Sequence, residues 1–212
     1  MAAVQSHGFV FEERICGAKT GLLKKDIGKY TDTHDIPKGQ YGSNIVTTNV
    51  SCKTTKSNSV GCGDISRFFD TSNEDDLEMV IGVYRQTKAM KTFHTTYVFK
   101  IGRNDREKLW GGISRDIIKS FDTYVKSIPH GKEGQQSNKK EWKARRKSIY
   151  DHHGKGLVSI DAKIDSKTQR RVQCSVKIKD LISSGIEYEK YTDVYEGMPV
   201  PFDIESSTRT FN

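Results

Sequence analysis

Acidic residues, a serine and a lysine occur in the first third of the sequence in an order that suits metal-dependent chemistry on a phosphate. These residues are Glu12, Glu13, Asp35, Ser51, Lys53 and Asp64. Mg²⁺ prefers oxygen ligands, and proteins usually hold it with one or two carboxylates together with water and phosphate oxygens. The ion makes a bound water nucleophilic, and a nearby lysine offsets negative charge in the transition state. The set therefore contains the residue types that hydrolysis of a phosphodiester requires.

A predicted helix near the start of the chain carries the two glutamates. Val4, Phe11 and Ile15 lie at spacings that place them on one helical face, and Gly17 is predicted to end the helix. Asp35 follows in a stretch rich in turn-forming residues, beside a proline and several glycines. The first acid of the set is therefore expected in a loop or at the edge of a strand.

A predicted strand over residues 44–55 carries the serine and the lysine, because this stretch is rich in β-branched side chains. Alternation along the strand places Ser51 and Lys53 on one face. Cys52 is expected on the opposite, buried face, as a core residue rather than a nucleophile. Asp64 is expected to cap a short helix that follows.

The rest of the pattern predicts two pairs of strands and two helices. The first pair is expected to form a hairpin or two neighbouring strands of one sheet, and the second pair a hairpin. Residues 130–138 are interpreted as an exposed linker, and the acidic, proline-containing tail 187–212 is expected to be irregular. This order of elements predicts an α/β (α+β) fold with a mixed central sheet flanked by helices. The predicted strands are 77–86, 92–101, 157–164 and 171–182, and the predicted helices are 105–128 and 139–153.

The candidate residues resemble the motif of the PD-(D/E)xK nuclease superfamily, and within it that of the type II restriction endonucleases. In that family an Asp begins one strand, an acidic residue and a Lys separated by one residue lie on the next, and an upstream helix often contributes a Glu. Here Glu12 or Glu13 matches the helix position, Asp35 the first acid and Lys53 the lysine. The resemblance covers roughly residues 6–70. It implies a restriction-endonuclease-like fold, Mg²⁺ as cofactor and cleavage of double-stranded DNA.

The sequence departs from the family at the second acid, where it has Ser51. A subset of restriction enzymes is similar in this respect, with Ser-x-Lys on the strand and the missing carboxylate supplied from a following helix. Asp64, 11 residues after Lys53, is one candidate for that carboxylate, and Glu12 and Glu13 are two others.

Asp32 is an alternative to Asp35, because the two lie three residues apart and the edge of the strand is not fixed by the sequence. Taken singly, Asp35 is explained as a turn residue, Lys53 as an exposed strand lysine and Asp64 as a helix cap. The resemblance assigns catalytic roles to Asp35, Lys53, Ser51 and Glu12, and metal binding to Asp35, Asp64, Glu12 and Glu13.

Charge along the chain of 212 residues is uneven. The formal net charge is +8, and residues 130–180 alone hold 14 basic and 6 acidic side chains. Such a concentration is typical of a surface that binds a polyanion. We therefore predict a catalytic core in residues 1–129, and a basic helix, a hairpin and a tail for DNA binding in residues 130–212, packed on the same domain.

The candidate DNA-binding residues are of two kinds. Those on the basic helix suit phosphates, and those near the turn of the second hairpin are of the types that read base edges in the major groove. The set comprises Lys139, Lys140, Lys143, Arg145, Arg146, Lys147, Gln169, Arg170, Arg171 and Gln173.

Composition excludes several other classes of protein. The chain has a mean hydropathy of −0.68 and no apolar run of bilayer length. Its start lacks the pattern of a secretory signal, and its four cysteines form no C-x-x-C pair. We expect a soluble, cytoplasmic (intracellular) protein with reduced thiols.

The function expected from these observations is a type II restriction endonuclease that acts as a homodimer on DNA. A symmetric dimer needs only one site per chain to cut both strands of a palindrome. Two alternatives remain open at this point. One is a non-catalytic nucleic-acid-binding protein, and the other is a structure-specific repair or recombination nuclease.

Overall fold

The computed structural model describes residues 6–28, 34–74, 76–87, 90–129, 138–164 and 169–205. Most of the predicted linker, the turn of the second hairpin, Val4 and Asp32 lie outside these ranges. The chain divides into two compact units. Unit 1 comprises residues 1–60, 75–102 and 185–212, and unit 2 comprises residues 61–74 and 103–184. The functional boundary placed after residue 129 stays a prediction, and the two units divide the chain differently.

Helices and strands occur in successive runs along the chain. The helices are α1 (Ser6–Thr20), α2 (Lys24–Ile27), α3 (Ile65–Glu74), α4 (Arg106–Trp110), α5 (Arg115–Ser127), α6 (Lys139–His153) and α7 (Ile178–Ser183). The strands are β1 (Gly39–Tyr41), β2 (Asn44–Val46), β3 (Asn49–Thr55), β4 (Ser59–Asp64), β5 (Leu77–Gln86), β6 (Met90–Ile101), β7 (Ser159–Ile164), β8 (Arg170–Lys177), β9 (Glu187–Tyr191), β10 (Val194–Tyr195), β11 (Met198–Pro199) and β12 (Phe202–Glu205).

The main sheet of unit 1 combines parallel and antiparallel strands. Its order is β12-β6-β5-β3, and β9 also pairs with β6. β3 runs parallel to β5, whereas β5 and β6 form an antiparallel hairpin, one of the two arrangements predicted for them. Together with the helices, this sheet confirms the mixed α/β (α+β) class.

Helix α1 packs on this sheet through a close contact between an aromatic ring and a glycine. A Cβ atom at Gly82 of β5 would lie only 2.5 Å from Cε2 of Phe11. The ring is fully buried and stacks on Phe93 of β6 at a centroid distance of 5.2 Å. Glu12 follows Phe11 directly in the chain, so this contact also helps to position Glu12 at the candidate site.

The prediction that Gly17 ends α1 was wrong. The helix continues to Thr20, and Gly21 stops it with a φ of +73°, a left-handed conformation that glycine adopts without strain. The Gly21 N–H donates to the carbonyl oxygen of Gly17 at 2.9 Å. An isolated glycine is tolerated inside a helix, at a cost of about 1 kcal/mol relative to alanine.

The expectation of an irregular tail was also wrong for the described part of the tail, residues 187–205. β9 and β12 both pair antiparallel with the long strand β6, β9 along Thr96–Lys100 and β12 along Met90–Phe93. The ring of Phe202 in β12 stacks on that of Phe93 at 4.8 Å. Pairing with an existing strand edge and burial of Phe202 order this acidic stretch.

Unit 2 contains a sheet of three strands in the order β4-β8-β7, of which β7 and β8 form the second predicted hairpin. The single helix predicted for 105–128 is instead α4 and α5, separated at Gly111 and Gly112. Gly111 has a φ of +60°, and a Cβ on Gly112 would lie 2.7 Å from the carbonyl oxygen of His153. The two glycines break the helix because the chain after α6 contacts their main chain directly.

Two further observations concern the side chains of the predicted basic helix and the length and apolarity of the helices. α6 spans the predicted residues, and its side chains Trp142 and Ile149 are half-buried. None of the helices within the described ranges is both long and apolar enough to cross a lipid bilayer.

Candidate active site

Asp35 is held against β3 by a short bridge of main-chain hydrogen bonds. The N–H groups of Asp35 and Ile36 donate to the carbonyl oxygen of Val50 at 3.0 and 3.1 Å, and the Val50 N–H donates to Ile36 O at 2.8 Å. β5 pairs with one edge of β3, so this bridge lies along the other edge. The turn residues before β3 therefore return the chain to the strand that carries Ser51 and Lys53.

The Asp35 carboxylate contacts three consecutive residues of β3. Its Oδ2 accepts the Cys52 N–H at 2.6 Å, the Ser51 hydroxyl at 3.3 Å and the Lys53 ammonium at 3.3 Å. Lys53 Nζ also donates to Ser51 Oγ at 2.7 Å, as expected for side chains on one face of a strand. Asp35, Ser51 and Lys53 thus form one hydrogen-bonded cluster.

This cluster is partly exposed. The side chain of Asp35 retains 15% of its accessible surface and that of Lys53 retains 19%. Both groups are therefore shielded from bulk water, which strengthens their electrostatic interaction, yet they remain accessible to a ligand.

Glu12 lies next to this cluster in an environment that favours its neutral form. It is 8% exposed, and its Oε1 atom is buried without a hydrogen-bond partner among the described residues. Burial, followed by the negative charge of Asp35, raises the pKa of Glu12 to about 7. The Glu12 carboxyl group is therefore close enough to Asp35 for the negative charge of Asp35 to affect its protonation.

A buried lysine that the sequence analysis did not single out joins Glu12 to Asp35. The Lys24 side chain is fully buried, and its Nζ donates to the main-chain oxygen of Asp35 and lies 3.6 Å from Glu12 Oε1. The adjacent Lys25 is exposed. No local signal distinguishes these consecutive lysines, because only the tertiary packing of α2 decides which one is buried.

Glu13 and Asp64 occupy different environments. Glu13 Oε1 accepts the main-chain N–H of Lys24 at 3.2 Å, so it positions the start of α2. Asp64 belongs to unit 2, where its Oδ1 accepts the Arg67 N–H at 3.1 Å and caps α3. This capping role was one of the two explanations of Asp64, and metal binding by Asp64 or Glu13 stays a prediction.

The donors around Asp35 fit a hard divalent cation only in part. Within the described ranges, no group of three or more His, Cys, Asp or Glu side chains is arranged to hold an ion. However, Asp35 and Glu12 supply two carboxylates, and the carbonyl oxygen of Cys52 lies 3.0 Å from Lys53 Nζ in the same cluster. Two carboxylates with water and phosphate oxygens are sufficient for Mg²⁺. The buried Glu12 carboxyl group beside Asp35, with Lys24 Nζ as its ion-pair partner at 3.6 Å, is the observation that favours a cation here.

The basic helix α6 divides its cations into two groups. Arg145, Arg146 and Lys147 are engaged within the protein, with Glu141, Asp161 and Asp151 respectively. The other three, which are exposed, are Lys139, Lys140 and Lys143. These three are the best placed of the predicted phosphate-binding residues.

Arg170 is part of the protein core rather than a base-reading group. It is 7% exposed, and its guanidinium donates to the carbonyl oxygens of Ile128 at 3.0 Å and Pro129 at 2.6 Å. Arg171 is exposed, whereas Gln169 and Gln173 are half-buried. The assignment of Arg170 to base reading is therefore corrected, because its donors already bind main-chain carbonyl oxygens. Arg171 remains as the accessible arginine of the hairpin.

Comparisons of the chain with protein-family models, with curated proteins and with solved structures find no significant match.

Proposed function

We propose that this chain is a Mg²⁺-dependent endodeoxyribonuclease that cleaves double-stranded DNA at a short specific sequence, in the manner of a type II restriction endonuclease. The observation that carries the proposal is the cluster of Asp35, Ser51 and Lys53, residues of a nuclease-like motif, next to the buried carboxyl group of Glu12.

Each residue of the cluster has a separate role in the proposed reaction. Asp35 and Glu12 would hold Mg²⁺, which supplies Lewis-acid stabilisation of the phosphate and lowers the pKa of a bound water. The Lys53 ammonium orients the attacking water and offsets charge as the phosphorane-like transition state forms. Ser51 fixes the position of that ammonium, and the Cys52 N–H fixes the Asp35 carboxylate.

Further parts of the proposal concern partners and location. A homodimer is proposed because a two-fold axis matches the symmetry of a palindromic site. DNA is the proposed partner of the exposed lysines of α6, and Mg²⁺ is the proposed cofactor. An intracellular location is proposed because all four cysteines are free thiols, the state that the reducing interior of a cell maintains.

Plasmid cleavage tests this proposal. In Mg²⁺ the wild-type protein is expected to produce discrete fragments, and EDTA is expected to abolish them. Lys53→Ala and Asp35→Ala are expected to lower the cleavage rate by at least about 10²-fold, because a positioned proton-transfer or electrostatic group contributes at least that much. Lys56→Ala, an exposed lysine just after the same strand, is the matched control and is expected to cut normally.

The outcome that rejects the site is specific. If Asp35→Ala and Lys53→Ala cut at the wild-type rate, the cleavage arises elsewhere. Binding of the variants to duplex DNA in Ca²⁺ separates loss of chemistry from loss of the substrate complex.

A non-catalytic nucleic-acid-binding protein remains the second candidate. The basic side chains concentrated in residues 130–180 favour it, because they suit binding of a polyanion with or without catalysis. This alternative predicts salt-sensitive binding without Mg²⁺ and no strand scission with any metal. A structure-specific repair or recombination nuclease is distinguished by comparing a linear duplex with a branched substrate of the same sequence.

A further inference from the structure

A cleft between α5 and α6 in unit 2 has the size and lining of a ligand site. Its volume is about 440 Å³, within the range of roughly 300–1,000 Å³ that is usual for small-molecule pockets. Phe121, Tyr124 and Ile149 provide apolar surface, and Asp116, Ser120 and Arg145 provide polar groups along one side. A nucleobase needs this combination of a flat apolar contact and a few hydrogen-bonding groups at its edge.

The planar guanidinium of Arg145 is held in this cleft by contacts with Tyr124 and Glu141. Its guanidinium carbon lies 3.9 Å from the centroid of the Tyr124 ring. Its Nε and Nη2 atoms both donate to Glu141 Oε1, at 3.1 and 2.9 Å. The side chain is nevertheless 53% exposed, so one face of the guanidinium stays open. A planar cation held in this way is prepared to stack against an aromatic ring.

We propose that this cleft binds one unpaired base of a single-stranded nucleic acid, stacked on Arg145 above Tyr124. The exposed lysines Lys139 and Lys140, on the same helix, would contact the neighbouring phosphates. This inference goes beyond hydrolysis of duplex DNA and does not depend on the metal site.

The chemistry of the cleft favours a nucleic acid over an acidic peptide. A peptide carboxylate would need the donors of Arg145, and Glu141 already engages two of them. A base uses the face of the guanidinium, which this ion pair leaves open. α6 also carries six Lys and Arg against two acidic residues, which suits a chain of phosphates.

Binding of a short single strand containing 2-aminopurine tests the proposal, with EDTA present so that no cleavage occurs. The wild-type protein is expected to bind this oligonucleotide and quench its fluorescence, and to bind the matching duplex less tightly. Arg145→Lys keeps the charge but removes the planar group, and it is expected to weaken binding about tenfold, as loss of one stacking contact does. Arg103→Lys, an exposed arginine of unit 2 outside the cleft, is the matched control and is expected to leave the affinity unchanged.

A second pair of variants tests the support below Arg145. Tyr124→Leu removes the ring and is expected to weaken binding, whereas Tyr124→Phe keeps the ring and is expected to bind normally. Circular dichroism melting confirms that each variant is folded.

Several results overturn the proposal. Unchanged affinity of Arg145→Lys, an equal loss in Arg103→Lys, or unquenched 2-aminopurine in the complex each exclude stacking in the cleft. If polyglutamate binds as tightly and with the same dependence on Arg145, the cleft is a site for an acidic peptide. Because EDTA suppresses cleavage, the result is independent of whether the proposed nuclease activity exists.

Discussion

Four charged side chains at the candidate site compensate one another only when Glu12 is ionised. Asp35 and Glu12 then oppose Lys24 and Lys53, and the cluster is neutral. Because burial and Asp35 raise the pKa of Glu12 to about 7, part of the protein is protonated at Glu12 near neutral pH. The folded protein therefore binds this proton more tightly than the unfolded chain.

Protonation of Glu12 gives the metal-free protein a pH-dependent stability. A raised carboxyl pKa adds stability that is complete below the unfolded value of about 4.5 and is lost as the pH rises through about 7. As the pH rises from 4.5 to 7.5, we expect deprotonation of Glu12 to lower the free energy of unfolding by about 2–3 kcal/mol, at about 1.36 kcal/mol per pKa unit. Glu12→Gln, which resembles the protonated form, is expected to lack this component of the slope.

Urea denaturation in EDTA at several pH values measures this effect. The Glu13→Gln variant controls for the general loss of a carboxylate from α1. Parallel pH profiles for the wild-type protein and Glu12→Gln would contradict the assignment of the raised pKa to Glu12.

Some site residues were predictable from sequence and others were not. Ser51 and Lys53 are two residues apart on a strand, so local alternation alone places them on one face, and Asp35 needs only a short return of the chain to reach them. Lys24 and Arg170 differ, because they are buried by contacts with α1 and with the Ile128 and Pro129 carbonyls. Burial of a cation is decided by distant parts of the chain, so the sequence did not single out Lys24 and led to the assignment of Arg170 to DNA binding.

At the scale of elements, the close packing of α1 against the sheet depends on the absence of a side chain at Gly82. We expect Gly82→Ala to destabilise the protein by about 1–3 kcal/mol, because the added Cβ meets the rigid Phe11 ring at 2.5 Å. Gly17→Ala is the matched control on α1, since a Cβ there meets nothing within 4 Å, and it is expected to add about 0.5–1 kcal/mol of stability. Urea denaturation measures both, and a neutral Gly82→Ala would show that α1 is free to shift.

The elements that sequence predicted best are those fixed by local patterns. Alternation and helical spacing correctly gave β5, β6 and α6, and Asp64 caps α3 as expected. The failures arise where a distant segment decides the structure. The tail becomes β9 and β12 because β6 offers an edge to pair with, and the helix over 105–128 breaks because main-chain atoms near residue 153 approach Gly112.

At the scale of the whole molecule, the excess of positive charge lies in unit 2. Counted over the sequence, unit 1 holds 14 basic and 14 acidic side chains, whereas unit 2 holds 21 and 13. Unit 2 therefore accounts for the complete excess of +8, and unit 1, with the candidate active site, is neutral. This distribution suits a protein in which unit 2 supplies the electrostatic attraction for a polyanion and unit 1 supplies the chemistry.

The salt dependence of duplex binding, measured without cleavage in EDTA, tests this division. Each phosphate contact contributes about 0.9 to the slope of log K against log salt concentration. Replacing Lys139, Lys140 and Lys143 together by Ala is therefore expected to reduce the slope by about 2–3 and to weaken binding to all sequences alike. The same loss of charge from unit 1, by Lys25→Ala, Lys100→Ala and Lys190→Ala together, is expected to leave the slope nearly unchanged. Equal losses in the two triple variants would mean that the polyanion responds to the total charge of the protein rather than to the exposed lysines of α6.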